Sequence, residues 1–191
     1  MNKQKKQLLL LIFILILAIA AFLLVSQIPS GEEAEETQSY SVTSLDTEKV
    51  CKLSFTNDNG TFTLKKQEDS WVYEGDKTLD MDEDAVDNLV SKVAALTSEN
   101  RIEQVEDSSI YGLDEPIVTI LVSDGKNSYT LLVGDYNNMT CTYYLCLEDD
   151  MKTVYTTTSY NISSFMDGIE NLIVEEEETE SETQVSSTEI R

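Results

Sequence analysis

The sequence has no histidine, and cations are scarce: 13 lysines and arginines stand against 36 aspartates and glutamates, a formal net charge of -23. Histidine is the commonest general base and zinc ligand, so its absence excludes Ser-His-Asp, Cys-His and HExxH sites. A chain this acidic lacks the lysines and arginines that contact nucleic-acid phosphates or anionic lipid headgroups. We therefore expect no nucleic-acid partner and no docking of the folded part on anionic lipid.

Cysteine is also rare, with Cys51, Cys141 and Cys146 making an odd number. Cys141 and Cys146 lie five residues apart on one predicted strand, so they face opposite sides, roughly 17 Å apart, and cannot bridge each other. Cys51 shares a predicted strand face with Leu53 and Phe55, which favours a small buried apolar group. A bridge from Cys51 to either of the other two stays open, because pairing cannot be read from sequence.

Motifs for ligand chemistry are missing. The few glycines show neither the GxGxxG nor the GxxxxGK spacing of phosphate loops. A calcium-like run that starts at Phe55 has Lys66 where the twelfth ligand should be a carboxylate. Adjacent pairs such as Asp114-Glu115 follow from the acidic composition, whereas a glycosidase needs two carboxylates across a cleft. We expect no catalytic residue, no cofactor and no metal, and a hydrolase with paired carboxylates is only a third hypothesis.

One long apolar run stands out. Residues 8–25 contain no polar side chain, and as a helix they would span about 27 Å, close to the hydrocarbon thickness of a bilayer. Lysines precede the run and glutamates follow it, which places the N-terminus in the cytoplasm. The length favours an uncleaved signal anchor over a cleaved signal peptide, whose apolar region is shorter. The rest of the chain is then extracytoplasmic.

Composition divides the chain into four parts. Residues 1–25 form the basic stub and the anchor, residues 26–46 an acidic linker, residues 47–173 the folded domain, and residues 174–191 a disordered acidic tail. The glutamate run of the tail is interpreted as a solubilising segment, with cation binding or partner binding as the alternative.

The folded part contains an internal repeat. Residues 50–64, VCKLSFTNDNGTFTL, align without a gap with residues 117–131, IVTILVSDGKNSYTL, at an offset of 67. Both copies read as hairpins with turn residues at their centres. Each hairpin is followed by more predicted strand and then by a helix.

Two helices are predicted. In the first, Asp80 caps the N-terminus and Glu83 completes a capping box. This helix runs to about Thr97, and its apolar stripe is formed by Val86, Leu89, Val90, Val93 and Leu96. The second covers residues 159–173. The sequence therefore predicts an α+β fold: a mainly antiparallel sheet built from two β-rich halves, each closed by a helix, plus the N-terminal transmembrane helix.

Residues 110–135 connect the two halves and then form the second hairpin. Gly112 is expected to take a positive φ in a tight turn, and Pro116 suits the first residue of a strand. The aliphatic residues 117–122 predict a strand that is buried on both faces or nearly so, and Asp124-Gly125 predicts the turn. Tyr143 and Tyr144 point to opposite sides of a later strand, either as interface residues or as cross-strand packing.

The motif YGLDEP at residues 111–116, followed by Asp124-Gly125 and by LLVG at residues 131–134, resembles a bacterial envelope family catalogued as domain of unknown function 4340. The resemblance covers about residues 50–173. It implies a single N-terminal span, an extracytoplasmic domain and an association with ABC-type transporters of the gliding-motility-associated kind. It transfers no catalytic or ligand-binding residue.

These observations predict a membrane-anchored accessory or interaction protein that is not an enzyme, with an envelope or transporter protein as partner. A cell-wall or small-ligand binding module is the alternative. The candidate interaction or motif residues are Tyr111, Gly112, Leu113, Asp114, Pro116, Tyr143 and Tyr144.

Overall fold

The computed structural model describes Leu15 and residues 39–174. The predicted anchor apart from Leu15, most of the predicted linker, and the predicted tail after Val174 lie outside the described residues. Within the described part, no helix is both long and apolar enough to cross a membrane. The chain divides into two compact units between Gln38 and Ser39, and the strands and helices described below belong to the second unit.

The described strands form one large and one small sheet, and every pairing is antiparallel. The small sheet pairs β1 (Tyr40–Ser41) with β5 (Thr97–Ser98). The large sheet contains β2 (Lys52–Asn57), β3 (Gly60–Gln67), β4 (Ser70–Tyr73), β6 (Arg101–Ile102), β7 (Val118–Ser123), β8 (Ser128–Asn137), β9 (Thr142–Leu147) and β10 (Asp150–Thr158). Its strand order is β4-β3-β2-β7-β8-β9-β10-β6. The prediction of a mainly antiparallel sheet is confirmed.

Residues 39–46 belong to the folded unit. The backbone N–H of Val42 donates to the carbonyl of Leu96 at 2.9 Å, and that of Leu45 donates to Ala94 at 2.7 Å. Val42 and Leu45 are buried. The fold therefore starts before residue 47, because these two apolar side chains supply enough buried surface to hold an otherwise polar segment.

The two repeated segments lie side by side at the centre of the sheet. Leu53 pairs with Leu64 in the first hairpin, and Ile120 pairs with Leu131 in the second, which is the same register at the offset of 67. The hairpins join through β2 and β7, where Ser54 lies opposite Leu121, its own counterpart in the repeat. An approximate two-fold axis normal to the sheet thus passes through this pair.

The helix α1 (Glu83–Ala94) packs on one face of the sheet, and the predicted apolar stripe is buried. Its N-cap is Asp82, whose Oδ1 accepts from the N–H of Ala85 at 3.0 Å, so the predicted cap at Asp80 is wrong. Residues 80–82 are held extended instead, because Met81 bridges to Ile173. Glu83 accepts from the backbone N–H of Trp71 at 2.8 Å rather than closing a capping box.

The second predicted helix is much shorter than residues 159–173. The structure has α2 (Ser159–Ile162) and the 3-10 turns Ser163–Phe165 and Glu170–Leu172. The expected apolar positions are nevertheless buried, among them Ile162, Phe165, Ile169 and Leu172. The second half is therefore closed by a chain of short turns rather than by a helix.

Asparagines of the first hairpin turn explain this interruption. Asn57 Nδ2 donates to the carbonyls of Phe165 at 2.7 Å and Asp167 at 2.8 Å, and Asn59 Nδ2 donates to the carbonyl of Met166 at 3.0 Å. Side-chain amides that bond to backbone carbonyls compete with a helical ladder for them. The contact joins residues more than 100 positions apart, so local periodicity does not reveal it.

Apolar residues pack on both faces of the sheet. The main core lies under α1 and includes Phe55 and Phe165, whose ring centres are 5.6 Å apart. A smaller cluster on the opposite face is built on Leu113, Cys146 and Val154. Strand β7 buries alternate residues and leaves the others half-buried, so one of its faces is fully buried and the other only in part.

Candidate interaction surface

The YGLDEP motif begins in a 3-10 turn, Ser108–Tyr111. Asp107 caps this turn, because its Oδ1 accepts from the N–H of Ser109 at 3.0 Å and from its hydroxyl at 2.6 Å. These bonds, the one from the hydroxyl first, lower the pKa of Asp107 below its usual range. Gly112 ends the turn at φ +71°, as its predicted role requires. The conformation of the motif is therefore fixed at both ends of the turn.

A contact between two glycines holds the motif against β8. A Cβ at Gly134 would overlap the carbonyl oxygen of Tyr111 and lie 2.9 Å from the carbonyl carbon of Gly112. A Cβ at Gly112 would lie 2.9 Å from the backbone nitrogen of Asp135. The β8–β9 register shifts between Val133 and Tyr136, which marks a bulge at this point. The glycines of YGLDEP and LLVG thus serve one backbone-to-backbone contact.

Side chains of the motif fill the smaller apolar cluster. Leu113 is only 1% exposed and packs with Cys146 and Val154. The rings of Tyr111 and Tyr144 lie 4.8 Å apart, and the Tyr144 hydroxyl accepts from Asn137 Nδ2 at 2.8 Å. Three of the candidate residues, Tyr111, Leu113 and Tyr144, therefore pack within the domain and fix the motif in place.

Tyr143 lies on the other face, as its position next to Tyr144 predicted. Its ring is 4.8 Å from that of Tyr136, and its hydroxyl is 3.8 Å from Met166 Sδ. It packs against the main core. The structure therefore brings Tyr143 to a different place from the motif residues, and Tyr143 does not contribute to the same surface.

The remaining motif residues form the surface of the loop. Asp114 and Glu115 are exposed and Pro116 is half-buried, with β7 beginning two residues after the proline. Ile110 is 67% exposed and Ile117 is 39% exposed. We call Ile110, Asp114, Glu115 and Ile117 the motif surface. Sequence analysis did not single out the two isoleucines, whose signal is their apolar character beside a polar motif.

The three cysteines lie in different environments. Cys146 is buried, Cys51 is half-buried and Cys141 is exposed, and none of them is bridged. Burial, assisted by the charge of Asp150, raises the pKa of Cys146 to about 11, so this thiol stays protonated at neutral pH. Within the described residues there is no group of three residues that could hold a metal ion.

The comparisons with known proteins give one family. The family described as "Domain of unknown function (DUF4340)" matches residues 30–116 and residues 71–190. No curated protein and no solved structure matches the chain. The two matches together span the whole of the described domain, including both hairpins and the motif loop. The chain therefore belongs to the DUF4340 family.

Proposed function

We propose that this chain is a single-pass, membrane-anchored protein of the bacterial envelope whose extracytoplasmic domain is an interaction module. The apolar run at residues 8–25, with lysines before it and glutamates after it, supports the anchor and its orientation. The proposed partner is a membrane subunit of an ABC-type transporter, which rests on the resemblance described for the motif.

The observation that carries the proposal is the rigid display of the motif surface. The glycine contact and the buried Leu113 hold the loop at its centre, while Ile110 and Ile117 remain exposed at its two ends. A preordered loop loses little conformational entropy when a partner binds. Exposed isoleucines beside Asp114 and Glu115 offer apolar contact together with charges that select the partner.

The carboxyl groups with shifted pKa values have structural hydrogen-bond partners. A general acid needs a carboxyl pKa raised toward neutrality. Among residues 39–174, the carboxyl groups whose pKa is clearly shifted all have it lowered by hydrogen bonds in turns, caps and ion pairs. They are Asp46, Glu74, Asp76, Asp107 and Asp124. We therefore assign these groups to the structure of the domain.

The anchor is tested by fractionation. The full chain should stay in the membrane pellet after extraction with alkaline carbonate, and a variant that lacks residues 8–25 should not. Protease added to spheroplasts should digest the folded domain of the full chain. Recovery of the full chain in the soluble fraction, or protection of the domain from external protease, would remove the proposal.

The motif surface is tested by photo-crosslinking in cells, with p-benzoylphenylalanine placed at position 110 or 117. The matched control is position 126, an exposed turn residue at the other end of β7. The expected result is one adduct, with the transporter membrane subunit, from positions 110 and 117 but not from 126. Identical adduct patterns at all three positions, or no adduct at any, would contradict the role of this surface.

The second candidate is a cell-wall or small-ligand binding module. It is favoured by a polar groove with few charged residues beside the end of β10, far along the sheet order from the first hairpin. Ligand binding there and protein contact at the motif surface are separate properties, and different variants test them.

A further inference from the structure

A groove lies where β10 continues beyond its pairing with β6. Two adjoining hollows of about 190 and 240 Å³ share Thr97 and Asn161 as lining residues. The smaller hollow alone has the volume of roughly six waters at about 30 Å³ each. Together they form what we call the polar groove, which has room for a ligand with more than one ring.

The lining of the polar groove is polar but almost uncharged. Its first hollow presents hydroxyls and amides from Thr97, Asn100, Thr142, Thr156, Thr158 and Asn161. Glu99 is the charged residue of this hollow and Lys92 that of the second. Two of the fourteen lining residues are therefore charged, against 26% of the whole chain.

Such a lining selects the class of ligand. A phosphate or carboxylate ligand needs arginines or several lysines. An apolar ligand needs a mostly apolar and enclosed pocket. Hydroxyl and amide groups, which both donate and accept, match a neutral ligand that carries many hydroxyls.

The two amides of the groove are held in place before any ligand arrives. Asn100 Nδ2 donates to Thr156 Oγ1 at 3.2 Å, and Asn161 Nδ2 donates to Thr157 Oγ1 at 3.0 Å. Each Oδ1 has no hydrogen-bond partner among the described residues, and each Nδ2 keeps a second hydrogen. Each amide thus offers an adjacent donor and acceptor, the pair that two neighbouring hydroxyls of a sugar ring require.

The backbone beneath the amides is fixed by Ser98, which is buried. Its hydroxyl oxygen accepts from the N–H of Asn100 and from the N–H of Thr156, both at 3.2 Å. The same hydroxyl lies 2.7 Å from the carbonyl oxygen of Thr156. This link ties β5 to the edge of β10 and so joins the two sides of the first hollow.

An exposed aromatic ring stands at the rim of the second hollow. Tyr160 is 67% exposed, although it is a large ring on a folded domain. Lys92 Nζ lies 4.8 Å from the ring centre and also donates to Ser164 Oγ at 3.0 Å, which fixes the ring on one side. The C–H groups of a sugar carry a partial positive charge that is attracted to the negative face of such a ring.

We propose that the polar groove binds a neutral oligosaccharide, with one sugar packed on Tyr160 and hydroxyls bonded by Asn100 and Asn161. This inference rests on the second candidate function and names the ligand class of the same groove, and it does not depend on the leading proposal. The anchor, the transporter partner and the motif surface can each fail while sugar binding holds.

The test uses the full chain in lauryldimethylamine oxide, a detergent without a sugar headgroup. The probes are chitotetraose and maltotetraose, which are neutral but differ in their N-acetyl groups, and a hyaluronan tetrasaccharide, which is anionic. Binding is measured by saturation-transfer NMR and by titration calorimetry. The variants are Tyr160→Ala, Asn100→Ala and Asn161→Ala, with Ile110→Ala as a control of the same 67% exposure on the motif surface.

We expect at least one neutral probe to bind with a Kd of about 1 mM or tighter. Tyr160→Ala should weaken binding about tenfold or more, and each asparagine variant should weaken it several-fold, as is typical when one contact is removed from a binding site. The Kd of Ile110→Ala should stay within about twofold of that of the unchanged chain. Circular dichroism should show that all four variants fold. Absence of binding by both neutral probes at about 10 mM, binding of the anionic probe alone, or unchanged binding by Tyr160→Ala and both asparagine variants would overturn the proposal.

Discussion

The two hairpins at the centre of the sheet share one backbone register but have different outer faces. In the first, the face away from α1 is polar, and Ser54 and Thr63 bond each other at 2.8 Å. In the second, Leu132 on the same face packs into the cluster of Leu113. Its counterpart in the first hairpin, 67 residues earlier, is Lys65, which pairs with Glu74 at 2.6 Å.

This difference shows how a duplicated unit acquires a new layer. The backbone pairing is the same in both copies, so the pairing does not decide which copy is covered. Side chains at equivalent positions decide it. The counterpart of Gly134, which admits the motif loop, is Gln67, which is exposed. The loop that joins the two copies therefore folds back over the second one.

The largest expected effect comes from placing a side chain in the contact between Gly112 and Gly134. Gly134→Val should destabilise the domain by about 3 kcal/mol, because its side chain would overlap the backbone at Tyr111. Gln67→Val, the same side chain at the counterpart position, should stay within about 0.5 kcal/mol. Urea unfolding followed by circular dichroism measures both. Equal costs at the two positions would show that the loop does not depend on this contact.

Exchanging the outer-face residues should have a smaller but still clear effect. Leu132→Lys should cost about 2 kcal/mol, because it places a charge in an apolar cluster. Lys65→Leu removes only an exposed ion pair and should cost less than about 1 kcal/mol. Thermal unfolding of the two variants gives the comparison. A cost for Lys65→Leu as large as that for Leu132→Lys would mean that the first hairpin is covered as well.

The turns of the two hairpins differ at another equivalent pair, Asn57 and Asp124. Asn57→Asp should cost about 1.5 kcal/mol, because a carboxylate cannot donate to the carbonyls of Phe165 and Asp167. Asp124→Asn keeps an acceptor for the turn and should be nearly neutral. Hydrogen exchange should show faster opening of residues 163–173 in Asn57→Asp alone. Unchanged exchange there would show that Asn57 does not determine the conformation of residues 163–173.

The smallest expected effect is on pH dependence. Asp124 accepts from the N–H groups of Asn127 at 2.6 Å and Lys126 at 2.8 Å, and these bonds lower its pKa below the usual range. The stabilisation is therefore present above the unfolded pKa of about 3.9 and is lost as the pH falls through the lower folded pKa. The amide signals of Lys126 and Asn127 should shift in NMR spectra below about pH 4, and Asp124→Asn should abolish the shift. A midpoint above that of an ordinary aspartate would contradict the assigned bonds.

Features set by neighbouring residues were predictable from the sequence. The hairpins, the buried stripe of α1 and the turn at Gly112 follow from alternation, helical spacing and glycine chemistry, which act over a few residues. The true cap at Asp82 depends on a bridge between Met81 and Ile173, and the loss of the last helix depends on Asn57. Those interactions join distant parts of the chain and leave no local pattern.

The same distinction holds for the candidate sites. The motif predicted where a special loop lies, but only the fold shows that Gly112 meets Gly134 and that Leu113 is buried. The polar groove combines Thr97, Asn100 and Asn161, which come together only when β5 approaches β10. A run of three threonines at residues 156–158 was the one local signal for it.

The attachment of residues 39–46 has a mechanical consequence. A pull that enters the domain at Ser39 first loads the two-residue pair of β1 and β5, and then the bonds from Val42 and Leu45 to the end of α1. These few bonds can open one after another, so a pull at Ser39 separates them before it opens the long ladders of the eight-stranded sheet. Residues 39–46 are therefore expected to detach and extend under force before the rest of the fold unfolds.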